Sequence, residues 1–259
     1  MNIYLESVNL DEIRNAASAG LADGVAFSHV AFSVDAPDSS ARERLEEISR
    51  EFAFPICVPV GAVASADMYA EARELAKVSD HIIVQIPLVE DSLIPMARLS
   101  AEGVVICATF VFNAAQAIIA AKAGASAVRV TLGEFEAYGQ SGVQALAEIK
   151  NVLDAGGEEC DVMATSPQSA VQFAECATAG ADIVCVTPAM LRALVVHPLS
   201  DKGVDRFLSD LAKRPKSRTH SRGSGSHARS ALWFSWRVRA HPARLQERSH
   251  KHFRQHPAP

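Results

Sequence analysis

Short apolar, β-branched runs alternate with longer amphipathic stretches through the first 212 residues of this chain. Nearly continuous apolar runs indicate strands that are buried on both faces, as in a parallel sheet covered by helices. Eight runs fit this description: NIYLE (2–6), DGVAF (23–27), FPICVPV (54–60), HIIVQIP (81–87), GVVICATF (103–110), SAVRVTL (126–132), CDVMATS (160–166) and ADIVCVT (181–187).

The stretches between these strands have helical periodicity. In one of them Ala145, Ile149 and Val152 fall on one face, and Gly124 and Gly180 stand where two other helices should end. Eight strand–helix units in about 200 residues fit a closed (β/α)8 TIM barrel better than an open sheet. The predicted fold class is therefore α/β, with a single TIM barrel over residues 1–212.

One more amphipathic segment, VDRFLSDLAK, follows the last strand–helix unit and predicts an extra C-terminal helix. Four apolar residues share one of its faces: Val204, Phe207, Leu208 and Leu211. Such a face needs a partner surface, either on the chain's own barrel or on a neighbouring subunit.

Residues 213–259 differ from the rest of the chain in charge. They hold 12 of the 25 Lys and Arg residues and one acidic residue, so they carry +11 against −16 for residues 1–212. Their Pro, Gly and Ser content and lack of periodicity predict a second region, a basic tail of low order. The tail could bind nucleic acid, but we favour the interpretation that it is an extension unrelated to the function of the barrel.

Composition excludes several classes of protein. A hydrophobic content of 49% and a charged content of 21% are typical of a globular protein, and no apolar run is long enough to span a membrane. The N-terminus, MNIYLESVNLDE, is acidic, unlike a secretory signal. Five Cys without CxxC spacing indicate free thiols in the cytoplasm.

Motifs for metal or nucleotide binding are missing from the chain. Neither GxGxxG nor GxxxxGK[ST] occurs, and His29, His81 and His197 lack the spacing of metal ligands. We therefore expect neither a cofactor nor a metal.

In a TIM barrel the functional residues collect at the carboxyl ends of the strands. The sequence places polar side chains, and one proline, at these ends. They are Glu6, Ser28 with His29, Pro59, Gln85, Thr109, Thr131 with Glu134, and Ser166 with Gln168.

Several long segments resemble the small transaldolases and fructose-6-phosphate aldolases. They are MNIYLESVNLDEI, DGVAFSHV, LAKVSDHIIVQIPLVEDSLIPMARLSAEGVVICATFVFNAAQAIIAAKAGASAV and GADIVCVTPAMLRALVVHPLSDKGVDRFLSD. The resemblance covers residues 1–212. It implies a barrel in the cytoplasm, homo-oligomers joined through the C-terminal helix, and Schiff-base aldol chemistry on ketose substrates.

The position that matches the family's imine-forming lysine departs from the family pattern. That lysine lies on the fourth strand in a VKIP-type motif, where this chain has Gln85 in Val-Gln-Ile-Pro. A carboxamide nitrogen is delocalised into its carbonyl, so it cannot condense with a ketone as an amine does. Gln85 therefore argues against aldolase activity by the family's route.

Most of the other positions that correspond to the family's site residues are also changed. Together with Gln85, we interpret the residues at these positions as substrate-binding candidates: Ser28, His29, Thr131, Glu134, Ser166 and Gln168. Ser28 and His29 stand in the family's TTNPS-like loop, Thr131 replaces an aromatic residue, Glu134 an arginine and Gln168 a phosphate-binding Arg or Lys, whereas Ser166 matches. Thr109 also matches, and Glu6 replaces the acid–base aspartate. Both are catalytic candidates.

Arg129 shares one side of its strand with Thr131, so it should point into the barrel, where the family carries a small residue. A buried guanidinium needs a partner, and Glu6 and Glu134 are the expected ones. We hypothesise that Arg129 binds a carboxylate or enolate-like substrate and that Glu6 is the general acid or base. The alternative is a structural Arg129–Glu ion pair that fills the space left by the lysine.

The sequence leaves open whether the barrel is an enzyme. Our main hypothesis is a repurposed enzyme that acts on a small carbonyl or carboxylate, sugar-like compound without an imine. The alternatives are a non-catalytic protein that binds a sugar phosphate or assembles with an active paralogue, an aldolase that uses a different amine, and a protein that contacts nucleic acid through its tail.

Overall fold

The computed structural model describes residues 1–28 and 41–213, and the chain divides into two units, residues 1–194 and 195–259. The first unit is a closed barrel of eight parallel strands in sequence order, β1 to β8. The predicted TIM barrel is thus confirmed. The strands are β1 Asn2–Leu5, β2 Gly24–Ala26, β3 Ile56–Pro59, β4 Ile82–Pro87, β5 Val105–Thr109, β6 Ala127–Thr131, β7 Asp161–Thr165 and β8 Ile183–Val186.

Helices follow the strands around the barrel. In the described part of this unit they are α1 Leu10–Ser18, α2 Ala41–Glu51, α3 Ser65–Ala76, α4 Leu93–Ala101 (after a 3-10 turn, Glu90–Ser92), α5 Ala114–Lys122, α6 Leu132–Ala137, α7 Gly142–Gly156, α8 Ala170–Thr178 and α9 Pro188–Ala193. The sequence pattern did not predict the short helix α6.

Polar side chains and glycines set the helix boundaries. Ser141 and Ser169 cap α7 and α8, because each hydroxyl accepts a backbone N–H from the first turn. Thr187 does the same for α9, with proline at the first helical position. Gly124 and Gly180 have φ values of 94° and 88°, which confirms the prediction that the helices before them, α5 and α8, end at these glycines.

The strands separate two environments by the alternation of their side chains. One set of strand residues packs with the helices in a continuous apolar core, and Val84, Ile86, Val128 and Val130 are examples. The residues between them point into the barrel, and eleven side chains are fully or almost fully buried there: Tyr4, Ala26, Cys57, Ile83, Gln85, Cys107, Ala127, Met163, Thr165, Ile183 and Cys185.

The second unit contains the predicted C-terminal helix, α10 Pro198–Lys213. Its first turn is closed by His197, whose Nδ1 accepts the backbone N–H of Leu199 at 3.1 Å. The predicted apolar face is present and exposed, with Phe207 61% accessible. Residues 214–259, which form the predicted basic tail after Lys213, lie outside the described residues.

None of the described helices is long and apolar enough to cross a membrane. All five cysteines are buried free thiols.

Candidate functional site at the carboxyl end of the barrel

The carboxyl ends of the strands surround an open well. The side chains at its wall are half-buried, in contrast to the fully buried layer beneath them. The wall residues at or just beyond inward strand positions are Glu6, Ser28, Pro59, Pro87, Thr109, Arg129 and Thr131. The sequence predicted this gathering from the strand ends.

Gln85 forms part of the floor of the well and is held at both ends of its carboxamide. Its Nε2 donates to the backbone carbonyl of Phe27, on the far side of β3, at 3.0 Å. Its Oε1 accepts a hydrogen bond from Nη1 of Arg129 at 2.6 Å. With 1% of its surface accessible, Gln85 is a buried polar group with both functions satisfied.

Arg129 lies on β6 and reaches Gln85 on β4 across the intervening strand β5. The inward residue of β5 at this level is the small Cys107, which is in register with Gln85. Its Nε lies 3.4 Å from Oγ1 of Thr165, which in turn donates to Oγ1 of Thr131 at 3.3 Å. The inward orientation predicted for Arg129 is therefore present.

The expected ion pair of Arg129 does not form. Among the described residues no carboxylate lies within ion-pairing distance of its guanidinium, so neither Glu6 nor Glu134 is its partner. Glu134 is instead exposed in the first turn of α6, since the chain turns into this short helix directly after Thr131. The guanidinium is oriented by an amide and a hydroxyl, and no carboxylate in the described part of the chain compensates its charge.

Three thiols line the barrel below Arg129: Cys57, Cys107 and Cys185. Burial raises the pKa of Cys107 to about 12 and that of Cys185 to about 12, although the positive charge of Arg129 acts in the opposite direction. The nearby charge of Glu6 adds to the rise at Cys185. These thiols stay protonated at neutral pH, so they are inert packing groups.

Comparison with known proteins places the barrel in a family. Residues 45–224 match the family model described as transaldolase/fructose-6-phosphate aldolase. A probable transaldolase of Caulobacter vibrioides is 36% identical over 220 residues, which cover 84% of this chain and 99% of that protein. Probable transaldolases of Bartonella tribocorum and Kosmotoga olearia are 37% and 33% identical, over 82% and 81% of this chain and 97% and 95% of their own lengths. The chain belongs to the transaldolase/fructose-6-phosphate aldolase family.

In this transaldolase-family barrel the remaining candidates that the structure describes lie around the rim. Gln168 is exposed, and its Nε2 donates to the backbone carbonyl of Ser166 at 2.9 Å. Ser28 stands at the end of the first described segment, and His29 lies outside the described residues. Glu6 is half-buried just after β1, with its backbone N–H bonded to Val186.

Two non-glycine residues with positive φ flank β6 at the mouth. Phe110 follows β5 with φ 58°, and Ser166 follows β7 with φ 60°. Such conformations are costly for residues with a Cβ and often occur at functional sites. The sequence analysis did not single out Phe110, because no local signal in the sequence distinguishes a strained residue from an ordinary one.

A groove of about 360 Å³ lies outside the barrel between the loops after β4 and β5. It is lined by Leu88, Val89, Glu90, Leu93, Asn113, Ala115, Gln116 and Ile119. It is mainly apolar and contains none of the inward residues, so we place the chemistry in the well.

Among the described residues, no group of three or more His, Cys, Asp or Glu side chains is arranged to hold a metal.

Proposed function

We propose that this transaldolase-family protein binds a small carbonyl or carboxylate, sugar-like compound through Arg129 and acts on it without forming an imine. Glu6 is the general acid or base, and Thr109 offers a hydroxyl to the reacting oxygen. Family membership supports a protein of carbohydrate-type metabolism. The oriented charge of Arg129 at the wall of the well, with no described carboxylate beside it, carries the specific proposal.

The positions of the described lysines support the first part of the proposal. The resemblance assigns the imine-forming lysine to the position of Gln85, whose nitrogen is a carboxamide bonded to Phe27. The described lysines all lie on helices or at a helix end, and none is at an inward strand position: Lys77, Lys122, Lys150, Lys202 and Lys213.

Four of the described lysines form ion pairs, and Lys150 is the least exposed of these. Its environment opposes nucleophilic catalysis. Burial lowers its pKa, but hydrogen bonds from its ammonium group to Asp154 and Asp182 outweigh that effect and raise the pKa overall. An imine-forming lysine needs the reverse, a lowered pKa and a free amine. The alternative of an aldolase with a different amine is therefore disfavoured.

The electrostatics of Arg129 support the second part. An arginine has five N–H donors, and those of Arg129 that do not bond Gln85 and Thr165 have no acceptor among the described residues. A half-buried guanidinium without a counter-ion favours an anionic ligand, since a carboxylate can take two parallel N–H bonds from it.

The position of Glu6 suits acid–base work. It is half-buried at the carboxyl end of β1, near enough to the interior for its charge to raise the pKa of Cys185. No described side chain donates a hydrogen bond to its carboxylate. A carboxylate that is unpaired at the wall of a site can exchange protons with a bound ligand.

We further propose a cytoplasmic homo-oligomer. The five free thiols are typical of a reducing compartment. The apolar face of α10 exposes Val204, Phe207, Leu208 and Leu211, and a stable soluble protein covers a continuous apolar face of this kind with a partner.

Borohydride reduction followed by mass spectrometry tests the proposed absence of an imine. With dihydroxyacetone or fructose 6-phosphate present we expect no adduct on the wild-type chain, because only an iminium is reduced to a stable amine. Gln85→Lys is the positive control for trapping, although we expect little aldol turnover from it. A reduced ketose attached to the wild-type barrel would contradict the proposal.

Calorimetric titration with propionate tests the anion site. We expect binding to the wild type and at least a tenfold loss in Arg129→Met, which keeps an unbranched apolar side chain but removes the charge. Arg98→Met is the matched control, because Arg98 lies over the ring of Tyr69 on the outer surface. Equal binding by Arg129→Met and the wild type would refute the role of Arg129.

A further inference from the structure

Threonines end three consecutive strands of the barrel. They are Thr109 on β5, Thr131 on β6 and Thr165 on β7, each two residues after an inward Cys107, Arg129 or Met163. Alternation therefore turns all three side chains into the well. We call these three residues the threonine crescent.

The hydroxyls of the threonine crescent are partly occupied. Thr165 is buried, receives the Nε–H of Arg129 and donates to Oγ1 of Thr131. Thr131 is left with its own O–H to donate, and Thr109 makes no side-chain hydrogen bond within the described part of the chain. Both are half-buried, so two hydroxyls are offered to a ligand beside the guanidinium.

The part of the wall next to the threonine crescent has a different chemistry, since Pro87 on β4 pairs in register with Thr109 on β5. The inward residues at the ends of β3 and β4 are Pro59 and Pro87, both half-buried. Proline has neither a backbone N–H nor a polar side chain. The wall therefore has a stretch of hydroxyls on β5 to β7 beside an apolar stretch on β3 and β4, which suits a ligand whose hydroxyls lie along one edge.

The charges of the well are suited to a monoanion. Arg129 is the only basic residue at an inward position of the described strands, and Glu6 adds a negative charge at the wall. One guanidinium matches one carboxylate. A phosphate monoester carries about −1.5 to −2 at neutral pH. It would meet Glu6 with no second cation at the inward positions of the described strands, and Glu134 and Gln168 at the rim are not basic either.

We infer that the ligand of the well is an unphosphorylated hydroxy acid, with its carboxylate on Arg129 and its hydroxyls on Thr131 and Thr109. This inference rests on the proposed function, because it assumes that Arg129 is the anion anchor. It goes further in naming the ligand class and the residues that select it.

A graded series of acids tests the ligand class by calorimetric titration. Propionate has no hydroxyl, lactate has one and glycerate has two, so we expect affinity to rise about three- to tenfold with each hydroxyl. 3-Phosphoglycerate and serine carry an extra phosphate or an ammonium group, and both should bind more weakly than glycerate. Tighter binding of 3-phosphoglycerate, or of serine, would overturn the inference in favour of a phosphorylated or zwitterionic ligand.

Valine substitutions test the threonine crescent, because valine keeps the shape of threonine and removes the hydroxyl. Thr109→Val and Thr131→Val should each weaken glycerate binding three- to tenfold and leave propionate binding unchanged. Thr109→Val breaks no described hydrogen bond, so it tests the idea even if Thr131→Val perturbs the fold. Thr178→Val, on α8 and exposed, is the control.

The possible outcomes distinguish a failure of the hydroxy-acid inference from a failure of the proposed function. If propionate and glycerate bind equally and both valine variants behave as wild type, the hydroxy-acid inference is wrong while the anion site stands. If no acid binds, or Arg129→Met binds them all as the wild type does, the proposed function itself fails and the inference with it.

Discussion

Val84, Gln85 and Ile86 are consecutive residues of β4, yet they belong to two different regions of the molecule. Val84 and Ile86 face the helices and are part of the continuous apolar core. Gln85 faces the interior of the barrel, where it bonds Phe27 and Arg129. The same comparison holds on β6, where Val128 and Val130 face outward and Arg129 faces inward.

The difference between these regions shows how one strand can serve stability and function separately. The helix-facing layer is uniformly apolar, so its contribution is burial and close packing. The interior contains an amide, a guanidinium, hydroxyls and thiols, which contribute less apolar burial and offer chemistry. Changes of residue type in the interior can therefore alter function while the helix-facing layer maintains the fold.

The largest effect should come from the helix-facing layer. Ile86→Ala removes a fully buried side chain and should lower the free energy of unfolding by about 3 kcal/mol, within the 2–5 kcal/mol usual for such cavities. Urea unfolding measures it, and glycerate affinity per folded molecule should not change. Ile94→Ala, at a position 71% exposed, is the control. A loss of unfolding free energy below about 0.5 kcal/mol for Ile86→Ala would contradict the assignment of stability to the helix-facing layer.

The interior layer should respond with a smaller loss of stability and a change in binding. Gln85→Leu removes the hydrogen bonds that Gln85 makes to the carbonyl of Phe27 and to an N–H of Arg129, which should cost about 2 kcal/mol. It should also weaken propionate binding, because Arg129 is no longer oriented. Gln140→Leu, on the surface, is the control.

A double-mutant cycle with Arg129→Met sharpens this prediction. If the hydrogen bond between Gln85 and Arg129 matters, the two losses of stability should not add. Additive losses would show that the two residues act independently, contrary to the geometry.

The interior thiols predict a pH dependence of stability. Burial raises the pKa of Cys107 and Cys185 from about 9 to about 12, so the folded state keeps protons that the unfolded chain releases. Their contribution is complete below pH 9 and is lost as the pH rises from about 9 to about 12, by up to about 1.4 kcal/mol per pH unit for each thiol. Urea unfolding between pH 8 and 10 should show this slope.

Removing one thiol isolates this contribution from other alkaline transitions. Cys107→Val should reduce the slope above pH 9, and Cys176→Val should reduce it by nearly the same amount between pH 8 and 10, because the pKa of Cys176, raised to about 11, also lies above this range. An unchanged slope in Cys107→Val would contradict the assignment.

The smallest effect should come from Tyr4, which lies deep in the interior on β1. Its ring is buried and its hydroxyl has no hydrogen-bond partner among the described residues, so Tyr4→Phe should change stability by less than about 0.5 kcal/mol or raise it slightly. Thermal unfolding measures this. Gly24→Ala is the contrasting change at the same place, since a Cβ there would lie 2.7 Å from the ring of Tyr4 and should destabilise the barrel clearly. A clear loss in Tyr4→Phe would mean that the hydroxyl has a partner after all.

The local sequence pattern was sufficient to predict the strands and the inward position of Arg129, because the side chains of neighbouring residues on a strand point to alternate faces. It was not sufficient for Glu134. The chain turns into the short helix α6 directly after Thr131, so Glu134 in its first turn is exposed and does not form the ion pair with Arg129 that its spacing from the strand end suggested. The left-handed conformation of Phe110 was likewise beyond sequence pattern.

The sequence by itself determined that eight apolar strands alternate with amphipathic helices, that β4 carries an amide, and that β6 carries a guanidinium. Tertiary structure decided what these groups do to one another. Closure of the barrel brings Arg129 across the small Cys107 to Gln85, and it places no described carboxylate beside the charge. Which groups meet across a barrel depends on strand register and closure, and these are set by contacts between residues far apart in the chain.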